Sequence, residues 1–462
     1  MTPIPFPDLK PFTSELIILS AGLFLLILEL FVKNKTVLSA VCIFASICIL
    51  FVLSDTQGIT FNGMFVNDLY SMYFKIIFII NLVMTVLISI NYIDREKPDR
   101  MEYYSLLLFA TSGMMIMASA KDLVVLFLGL ELMALSTYIL AGIKTLNIKS
   151  NEAAIKYFML GAFSSAFFLY GLAILYGLTG STDIYQISEK IKTIEPSMAL
   201  VLSMIMIVVA FSFKIAAAPF HMWAPDVYEG APTSVTAFMS IGPKAAGFAV
   251  FGRVFYVAFD SIYTEWATAL IVISIITMAV GNIIALSQTN IKRMLAYSSI
   301  AHAGYMLIGI ITATGDSINA VLHYLLIYAF MNMGAFSIII LIEGGEQIKN
   351  YNGLAKRYPL VSALMLVFMF SLVGIPPTAG FIAKFNLFMS AINGGYLWLV
   401  IIAVIFSTIS AFYYLRIVMN MYMKDNISDS IVFLNNSAPL AVAIFISTVM
   451  VIVIGVIPSL LI

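Results

Sequence analysis

The sequence predicts an all-α integral membrane protein of about fourteen transmembrane helices, with two inverted five-helix repeats and breaks in helices 7 and 12. Of its 462 residues, 62% are hydrophobic and only 10% are charged, and the mean hydropathy is +1.03. Apolar runs of about 20 residues, the length that crosses a bilayer, follow one another along the whole chain. Two stretches rich in proline and glycine interrupt these runs.

The composition excludes several other classes of protein. About a quarter of the residues of a soluble domain are charged, so this chain has too little charge to cover a 50.8 kDa globule. Lys+Arg and Asp+Glu both number 24, which leaves no net charge for binding nucleic acid. Cys42 and Cys48 lie six residues apart in one apolar run, and the three histidines are scattered. We therefore expect no disulfide and no metal site.

A 20-residue window places the spans near 13–32, 36–53, 70–92, 102–119, 122–142, 154–178, 197–219, 232–257, 264–287, 291–313, 315–341, 360–389, 396–420 and 437–461. The polar segment 54–68 between the second and third spans is long enough for a short hairpin. Glu29 precedes Lys33 by four residues, which predicts an ion pair on one helical face. Lys75 and Arg253 are expected to snorkel towards the outer surface.

Basic residues are distributed unevenly between the two sides of the predicted bundle. Loops after odd-numbered spans, with the adjoining helix ends, hold fifteen Lys and Arg residues, including Lys97 and Arg100, and the other loops hold four. We call these two ends of the bundle the odd side and the even side. Because cytoplasmic loops are enriched in Lys and Arg, the odd side is predicted to be cytoplasmic and both termini to face outward.

An internal repeat is visible at an offset of 167 residues. The segment TYILAG (137–142) aligns with GYMLIG (304–309), and Lys156 aligns with His323. A repeat of five helices is an odd number, so the second copy must be inverted in the membrane. The predicted segments are an N-terminal three-helix segment (1–101), a first repeat (102–258), a second repeat (259–424) and a C-terminal helix (425–462).

Four charged residues lie deep inside predicted spans: Glu131, Lys214, Lys244 and Lys384. Each charge costs roughly 2.5–3.5 kcal/mol at a helix centre, so such residues are rare unless they serve a purpose. Internal ion pairs that lock helices together are one interpretation, and stations on an ion path are the other. One carboxylate and three lysines favour a path for protons over a path for Na⁺ or K⁺, because these metal cations need several oxygen ligands.

The two helix breaks lie beside two of these lysines. Pro219 follows Lys214 closely, and Gly374 with two prolines precedes Lys384. Broken helices at membrane depth are tolerated where they are buried or line a wet cavity. His302 and His323 lie in the second repeat, in sequence between Lys244 and Lys384, and serve either packing or proton transfer.

Four segments carry a resemblance to a known family: LGLELMALSTYILAG (128–142), FKIAAAPFHMWAPDVYEGAPT (213–233), KRMLAYSSIAHAGYMLIG (292–309) and GIPPTAGFIAKFNLF (374–388). They resemble the antiporter-like subunits of proton-pumping NADH:quinone oxidoreductase, respiratory complex I. The resemblance extends from the fourth to the thirteenth span. A lysine at 384 resembles the N type of these subunits more than the M type, which usually has glutamate. The lateral helix and extra spans of the L type are not expected.

The resemblance implies the inverted repeats, the two broken helices and a role for each deep residue. Glu131 matches the helix-5 glutamate, Lys214 the helix-7 lysine, Lys244 the central helix-8 lysine and Lys384 the helix-12 residue of the exit half-channel. Protons would enter near Lys214, cross through Lys244 and the histidine region, and leave past Lys384. Glu131 would respond to the neighbouring subunit.

The resemblance also implies partners and a location. The chain would be a proton-translocating subunit in a bacterial inner membrane, beside other antiporter-like and small helical membrane-arm subunits. It would be part of an enzyme, the oxidoreductase, without redox chemistry or a cofactor of its own, because FMN, iron–sulfur clusters and quinone belong to partner subunits.

Two alternatives remain open from the sequence. One is a subunit of a multi-subunit cation/proton antiporter, which uses the same type of protein without redox partners. The other is a structural spacer of the membrane arm, in which neutral replacements of the deep lysines would be tolerated. Copurifying chains would separate the first alternative from the oxidoreductase.

Overall fold

The computed structural model describes residues 6–96, 102–194, 197–425, 434–435 and 437–461. Over these residues the chain is almost entirely helical, and the predicted all-α membrane class is confirmed. The helices are α1 (Thr13–Leu28), α2 (Lys35–Val52), α3 (Leu69–Glu96), α4 (Tyr103–Ser119), α5 (Leu123–Ala141), α6 (Ile148–Thr179), α7 (Ile184–Ile191), α8 (Met198–Lys214), α9 (Trp223–Gly230), α10 (Thr233–Phe255), α11 (Tyr263–Ala285), α12 (Ile291–Thr312), α13 (Gly315–Leu341), α14 (Leu354–Arg357), α15 (Pro359–Val373), α16 (Ala379–Asn393), α17 (Leu397–Met423) and α18 (Ala438–Val456). Lys97 and Arg100, two of the basic residues used for the orientation, lie outside the described residues.

Eleven helical segments of the described chain are long and apolar enough to cross a membrane, and three shorter apolar helices, α4, α8 and α15, accompany them. Helices α8 and α9 form one interrupted span, and α15 and α16 form another. The predicted breaks in the seventh and twelfth spans are therefore present. The number of about fourteen spans is compatible with these helices and stays a prediction.

Backbone conformation ends the first half of each broken helix. Helix α8 ends at Lys214, after which Ala216 has a φ of 56° and Pro219 follows. Helix α15 ends at Val373, after which Gly374 has a φ of 91° and two prolines follow. A positive φ cannot continue a right-handed helix, and proline has no N–H for the preceding turn. Each break therefore leaves carbonyl oxygens at the end of the first half-helix without helical partners.

The polar segment 54–68 contains the hairpin that its sequence predicts. Strand β1 (Gly58–Thr60) pairs with β2 (Phe65–Asn67) in an antiparallel register that sets Gly58 opposite Asn67. The backbone N–H of Lys121 donates a hydrogen bond of 2.9 Å to the carbonyl of Met64. The hairpin is thus attached to the loop between α4 and α5, on the even side.

Helices α5 and α12 begin in the same way, 168 residues apart. The side chain of Asp122 accepts hydrogen bonds from the first turn of α5, and that of Asn290 does so for α12. Asp122 also forms a β-bridge with Asp183, in the loop after α6, and Asn290 forms one with Gln347, in the loop after α13. One arrangement lies in an even-side loop and the other in an odd-side loop. This recurrence supports the inverted repeat, whose segment boundaries stay a prediction.

Close helix contacts recur with the same spacing. A Cβ added at Gly113 of α4 would lie 2.5 Å from the backbone nitrogen of Met133 in α5. A Cβ added at Gly281 of α11 would lie 2.5 Å from the backbone nitrogen of Ala301 in α12. Small residues let membrane helices approach closely, so the first two helices of each predicted repeat form a tight pair.

The predicted snorkelling of Lys75 and Arg253 is wrong. Lys75 is fully buried, and its ammonium lies 2.7 Å from the Glu15 carboxylate and donates to Asn67 Oδ1 at 2.9 Å. Arg253 donates to both carboxylate oxygens of Asp68, at 2.7 and 3.0 Å. In each case the fold brings a distant carboxylate to the cation, so the cation has no need to reach the surface.

The predicted ion pair between Glu29 and Lys33 is also wrong. Helix α1 ends at Leu28, so the four-residue spacing does not set the two side chains on one helical face. Glu29 is buried, and its Oε2 accepts a hydrogen bond of 3.1 Å from Ser105 of α4. Lys33 is exposed.

A network of ion pairs joins three helices on the odd side. Asp226 of α9 accepts hydrogen bonds of 2.6 Å from both Lys156 of α6 and Arg293 of α12. Glu229 of α9 accepts from Lys149 at 3.1 Å and from Arg293 at 3.2 Å. These contacts fix the second half of the first broken helix between the two predicted repeats.

We expect Glu15→Gln to destabilise the chain, because it leaves Lys75 buried without a counter-charge, at a cost of roughly 3–5 kcal/mol. The double replacement Glu15→Leu with Lys75→Met removes both charges and should recover most of that loss. Thermal unfolding of the detergent-solubilised assembly measures both effects. Equal stability of the single and double variants would contradict this account.

Candidate functional site

The described residues include six buried Lys and Arg side chains, which fall into two groups. Three have a carboxylate oxygen within 4.0 Å, in the pairs Lys75–Glu15, Arg253–Asp68 and Lys292–Glu346. The other three, Lys214, Lys244 and Lys384, have no carboxylate oxygen within that distance among the described residues. Since an unpaired buried charge is costly, these lysines are the exception that requires an explanation. They are the three that the sequence singled out.

Lys214 is the last residue of α8, at the first helix break. Its ammonium lies 5.7 Å from the ring centroid of Phe213. A Cβ added at Gly247 would lie 3.7 Å from Lys214 Cβ, so the lysine stem packs against α10 three residues beyond Lys244. The C-terminal end of a helix carries partial negative charge, which favours a cation at this position.

Glu131 lies on α5, half-buried, and its Oε1 accepts a hydrogen bond from Ser165 of α6. It is close enough to Lys214 to act on it electrostatically, without forming an ion pair within 4.0 Å. Leu128 and Leu135, on either side of it in α5, are exposed. Glu131 thus lies between Lys214 and the lateral surface of the helix bundle.

Lys244 lies near the middle of α10 and is 1% exposed. Its ammonium donates a hydrogen bond of 2.8 Å to the carbonyl oxygen of Ser299 and a second one to Ser299 Oγ. Ser299 belongs to α12, so the lysine connects the first predicted repeat to the second. Both acceptors are neutral.

His302 lies one turn after Ser299 on α12 and is buried. Its Nδ1 is hydrogen-bonded to the hydroxyl of Tyr324 in α13 at 2.7 Å, and its Nε2 to the hydroxyl of Tyr414 in α17 at 3.2 Å. The Tyr414 hydroxyl also shares a hydrogen bond with Ser298. A hydrogen-bonded chain of Ser298, Tyr414, His302 and Tyr324 therefore begins beside the Lys244 contact.

Lys384 lies on α16, just after the second helix break. Its ammonium donates to the carbonyls of Leu372 and Val373, at 3.2 and 2.7 Å, and to Ser407 Oγ at 2.9 Å. It also lies 5.2 Å from the ring centroid of Tyr305 on α12. The two carbonyls belong to the last residues of α15, so the lysine occupies the C-terminal end of that half-helix.

Gly374 makes this approach possible. A Cβ at that position would lie 3.0 Å from Lys384 Cδ and 3.6 Å from Nζ, in a backbone conformation with φ of 91° that few other residues adopt. Both breaks thus set a lysine at the C-terminal end of a first half-helix, Lys214 as the last residue of α8 and Lys384 across the gap from α15.

His323 is half-buried on α13, next to Tyr324. Its role in proton transfer stays a prediction.

The hydroxyl groups of this site were not expected from the sequence. Ser298, Ser299, His302 and Tyr305 lie at helical spacing on one side of α12, a pattern that the sequence contains. Tyr324 and Tyr414 come from other helices, and no local pattern distinguishes them from the other buried tyrosines. Hydroxyl groups both donate and accept, so this arrangement is suited to passing protons between lysines.

The described residues contain no group of three or more His, Cys, Asp or Glu side chains able to hold a metal ion. The buried polar chain contains lysine, histidine and hydroxyl groups together with backbone carbonyls.

Comparisons with known proteins identify relatives of this chain. The family described as NADH:quinone oxidoreductase/Mrp antiporter, transmembrane, matches residues 120–410. NADH-quinone oxidoreductase subunit N 1 of Thermodesulfovibrio yellowstonii is 48% identical over 461 residues, covering 99% of this chain and 97% of the relative. NADH-quinone oxidoreductase subunit N of Trichlorobacter lovleyi is 46% identical over 465 residues, covering 98% and 95%.

A solved structure agrees with the sequence relatives. A chain of respiratory complex I from Thermus thermophilus with bound aureothin has a TM-score of 0.83 and 31% identity, covering 97% of this chain and 98% of that chain. The resemblance of the four sequence motifs is therefore confirmed. The chain belongs to the NADH:quinone oxidoreductase/Mrp antiporter transmembrane family, and both curated relatives compared above are subunits N of NADH-quinone oxidoreductase.

Proposed function

We propose that this chain is a proton-translocating membrane subunit of NADH:quinone oxidoreductase. It conducts protons through buried lysine, histidine and hydroxyl groups while quinone is reduced elsewhere in the complex. FMN, iron–sulfur clusters and quinone belong to partner subunits, and other antiporter-like and small helical subunits flank the chain in the membrane arm. The names of the relatives and the family match support this assembly.

One observation carries the proposal. Lys244 and Lys384 are buried ammonium groups whose hydrogen bonds to the described residues go only to neutral oxygens, and the polar face of α12 lies between them. An ammonium that is paired with a carboxylate cannot lose its proton without leaving that carboxylate uncompensated. An ammonium held by carbonyls and hydroxyls can, so these lysines are suited to bind and release protons in turn.

The proposed route runs from the odd side to the even side. A proton enters at Lys214, beside the first helix break, and passes to Lys244 of α10. Lys244 lies one turn before Gly247, where the Lys214 stem packs against α10. It then follows Ser299 and the chain through His302 to Lys384, whose half-helix α16 leads to the even side. Each hydroxyl on this route accepts one proton and gives up another, so one proton is delivered for each that enters.

Glu131 has a different role in this proposal. It is half-buried, between Lys214 and the lateral surface of the helix bundle, and acts on Lys214 electrostatically. If a charge in a neighbouring subunit drew the carboxylate away, the protonated form of Lys214 would become less stable. The lysine would then release its proton. His323, the neighbour of Tyr324 on α13, is a further relay residue in this proposal.

The proposed orientation sets the odd side in the cytoplasm and both termini outside, in a bacterial inner membrane. The asymmetry of Lys and Arg residues supports it. The ion pairs of Lys149, Lys156 and Arg293 all lie on the odd side, which carries much of the basic charge.

Replacement of the unpaired lysines should uncouple proton movement from electron transfer. We expect Lys214→Ala, Lys244→Met and Lys384→Met each to lower the number of protons moved per quinone reduced, because each removes a station. Lys192→Met, which changes an exposed lysine paired with Glu189, is the matched control. Proton uptake by sealed vesicles, measured with quinone reduction, gives the ratio. Normal ratios in all three variants would favour the structural-spacer alternative.

Gentle purification of the tagged chain from its native membranes tests the assembly. We expect flavin and iron–sulfur subunits to copurify, with inhibitor-sensitive reduction of quinone. Companion antiporter chains without redox centres would instead assign the chain to a cation/proton antiporter, because the family includes both kinds of protein.

Labelling of single cysteines tests the orientation. In a chain without Cys42 and Cys48, we expect a membrane-impermeant maleimide added to intact cells to label Lys192→Cys on the even side but not Lys356→Cys on the odd side. Both positions are exposed, so access depends on the side of the membrane. The reverse pattern would overturn the orientation.

A further inference from the structure

The carbonyl that precedes Lys214 at the end of α8 already has two hydrogen-bond donors. Helix α8 ends at Lys214, so this carbonyl belongs to Phe213. It accepts a hydrogen bond of 3.0 Å from the backbone N–H of Ala216 and another of 3.0 Å from the indole N–H of Trp223. A carbonyl oxygen has two lone pairs, so the Phe213 carbonyl is fully occupied.

Lys214 is the most loosely held of the three lysines without a carboxylate partner. Its ammonium makes no hydrogen bond to any described residue and lies 5.7 Å from the ring centroid of Phe213. A lysine near the C-terminal end of a helix can donate to the last carbonyls. Lys384 does so at the second break, where it donates to Leu372 and Val373. At the first break, the carbonyl next to the lysine has no lone pair left for such a contact.

The indole of Trp223 is held firmly in this position. Trp223 is 1% exposed and is the first residue of α9. Its ring stacks on that of Tyr157 in α6, with the centroids 4.4 Å apart and the planes at 9°. Asp226, one turn later on α9, accepts a hydrogen bond of 2.6 Å from Lys156, the residue before Tyr157. Two adjacent contacts between α6 and α9 therefore fix the direction of the indole N–H.

The same aromatic contact extends to the helix that carries Glu131. Tyr138 of α5 packs edge-on against Tyr157, with ring centroids 4.6 Å apart. Tyr138 follows Glu131 by seven residues, which places both on one face of α5, two turns apart. Trp223 is thus connected to the end of α8 by its hydrogen bond and to the helix of Glu131 through two tyrosine rings.

We propose that Trp223 is a positioning residue for Lys214. By occupying the carbonyl of Phe213, its indole N–H keeps the ammonium from settling on the end of α8, so that the proton of Lys214 depends on Glu131. Without this N–H the ammonium would donate to the vacated lone pair, as Lys384 does at the second break, and would keep its proton when the Glu131 carboxylate moves. Trp223 itself gives up no proton. The inference rests on the proton-translocating function proposed above and explains why the first lysine responds to its carboxylate.

A close isostere of tryptophan separates the hydrogen bond from the packing. Benzothienylalanine, installed at position 223 through an amber codon, has sulfur in place of the indole N–H and nearly the same ring size. Trp223→Phe would also remove ring volume, so the isostere is the decisive variant. The same replacement of Trp266 is the matched control, because Trp266 is also 1% exposed and its indole donates at 3.1 Å to the carbonyl of Phe259, on the even side.

The first test is structural and uses cryo-electron microscopy of the complete native complex. With the isostere at position 223, we expect Lys214 Nζ to lie at hydrogen-bond distance, about 3 Å, from the carbonyl oxygen of Phe213. The stack on Tyr157 should be unchanged. An ammonium that keeps its wild-type position in this variant would overturn the proposal.

The second test is functional and measures protons moved per quinone reduced in sealed vesicles. The isostere at position 223 should remove at least half of what Lys214→Ala removes, whereas the isostere at position 266 should retain the wild-type ratio. In a chain that already carries Lys214→Ala, the isostere at 223 should cause no further loss, because no ammonium is left to position. A purely structural role of the N–H would lower the ratio in both backgrounds.

The outcomes separate this proposal from the function on which it rests. If Lys214→Ala lowers the ratio but the isostere at 223 does not, the positioning role is wrong and the proton-translocating function stands. The same conclusion follows if the isostere lowers the ratio further in the Lys214→Ala chain. If Lys214→Ala leaves the ratio unchanged, both the positioning role and the proposed route through Lys214 fail.

Discussion

The structure depends on holding positive charge inside the bilayer without negative charge beside it. Each ammonium at a helix centre costs roughly 2.5–3.5 kcal/mol. The fold could have offset this cost with carboxylates, as it does for Lys75, Arg253 and Lys292. For Lys244 and Lys384 it uses carbonyl and hydroxyl oxygens instead. The difference decides what the two groups of basic residues can do, because only the second group can lose a proton without leaving a carboxylate uncompensated.

The second helix break is the source of the carbonyl acceptors of Lys384. An unbroken helix uses almost all of its carbonyl oxygens internally, whereas a helix that ends in mid-membrane leaves its last carbonyls free. The residues of α15 before Gly374 point two such carbonyls at Lys384. Helix α8 ends at Lys214 itself, but its last carbonyls accept hydrogen bonds from the backbone of Ala216 and Ala217 and from the indole of Trp223. The two breaks therefore both place a lysine beside the end of a half-helix, and only the second supplies its carbonyls to that lysine.

How much of this the sequence predicts depends on whether the information is local. The deep lysines, the two breaks and the hairpin each follow from a short pattern of residues, and all are present in the structure. Lys75 and Glu15 lie 60 residues apart, and Arg253 and Asp68 lie 185 apart, so no spacing rule pairs them. Tyr324 and Tyr414 reach His302 from two further helices, and only tertiary packing distinguishes them from the other tyrosines. The sequence thus predicts the charges better than their partners.

The proposed proton route has hydrogen bonds along part of its length only. A proton crosses the part without them least readily. Hydrogen bonds join Ser298, Tyr414, His302 and Tyr324, and ring contacts continue from His302 through Tyr305 to Lys384. Among the described residues, no hydrogen bond joins the contact of Lys244 with Ser299 to this chain. Between Lys214 and Lys244 the described residues provide no hydrogen bond; the two lysines share only the contact of the Lys214 stem with α10. Proton transfer across this gap therefore needs water or side-chain movement. In the proposed scheme, Glu131 acts on Lys214 at the start of this gap, so the position of its carboxylate would set when that movement occurs.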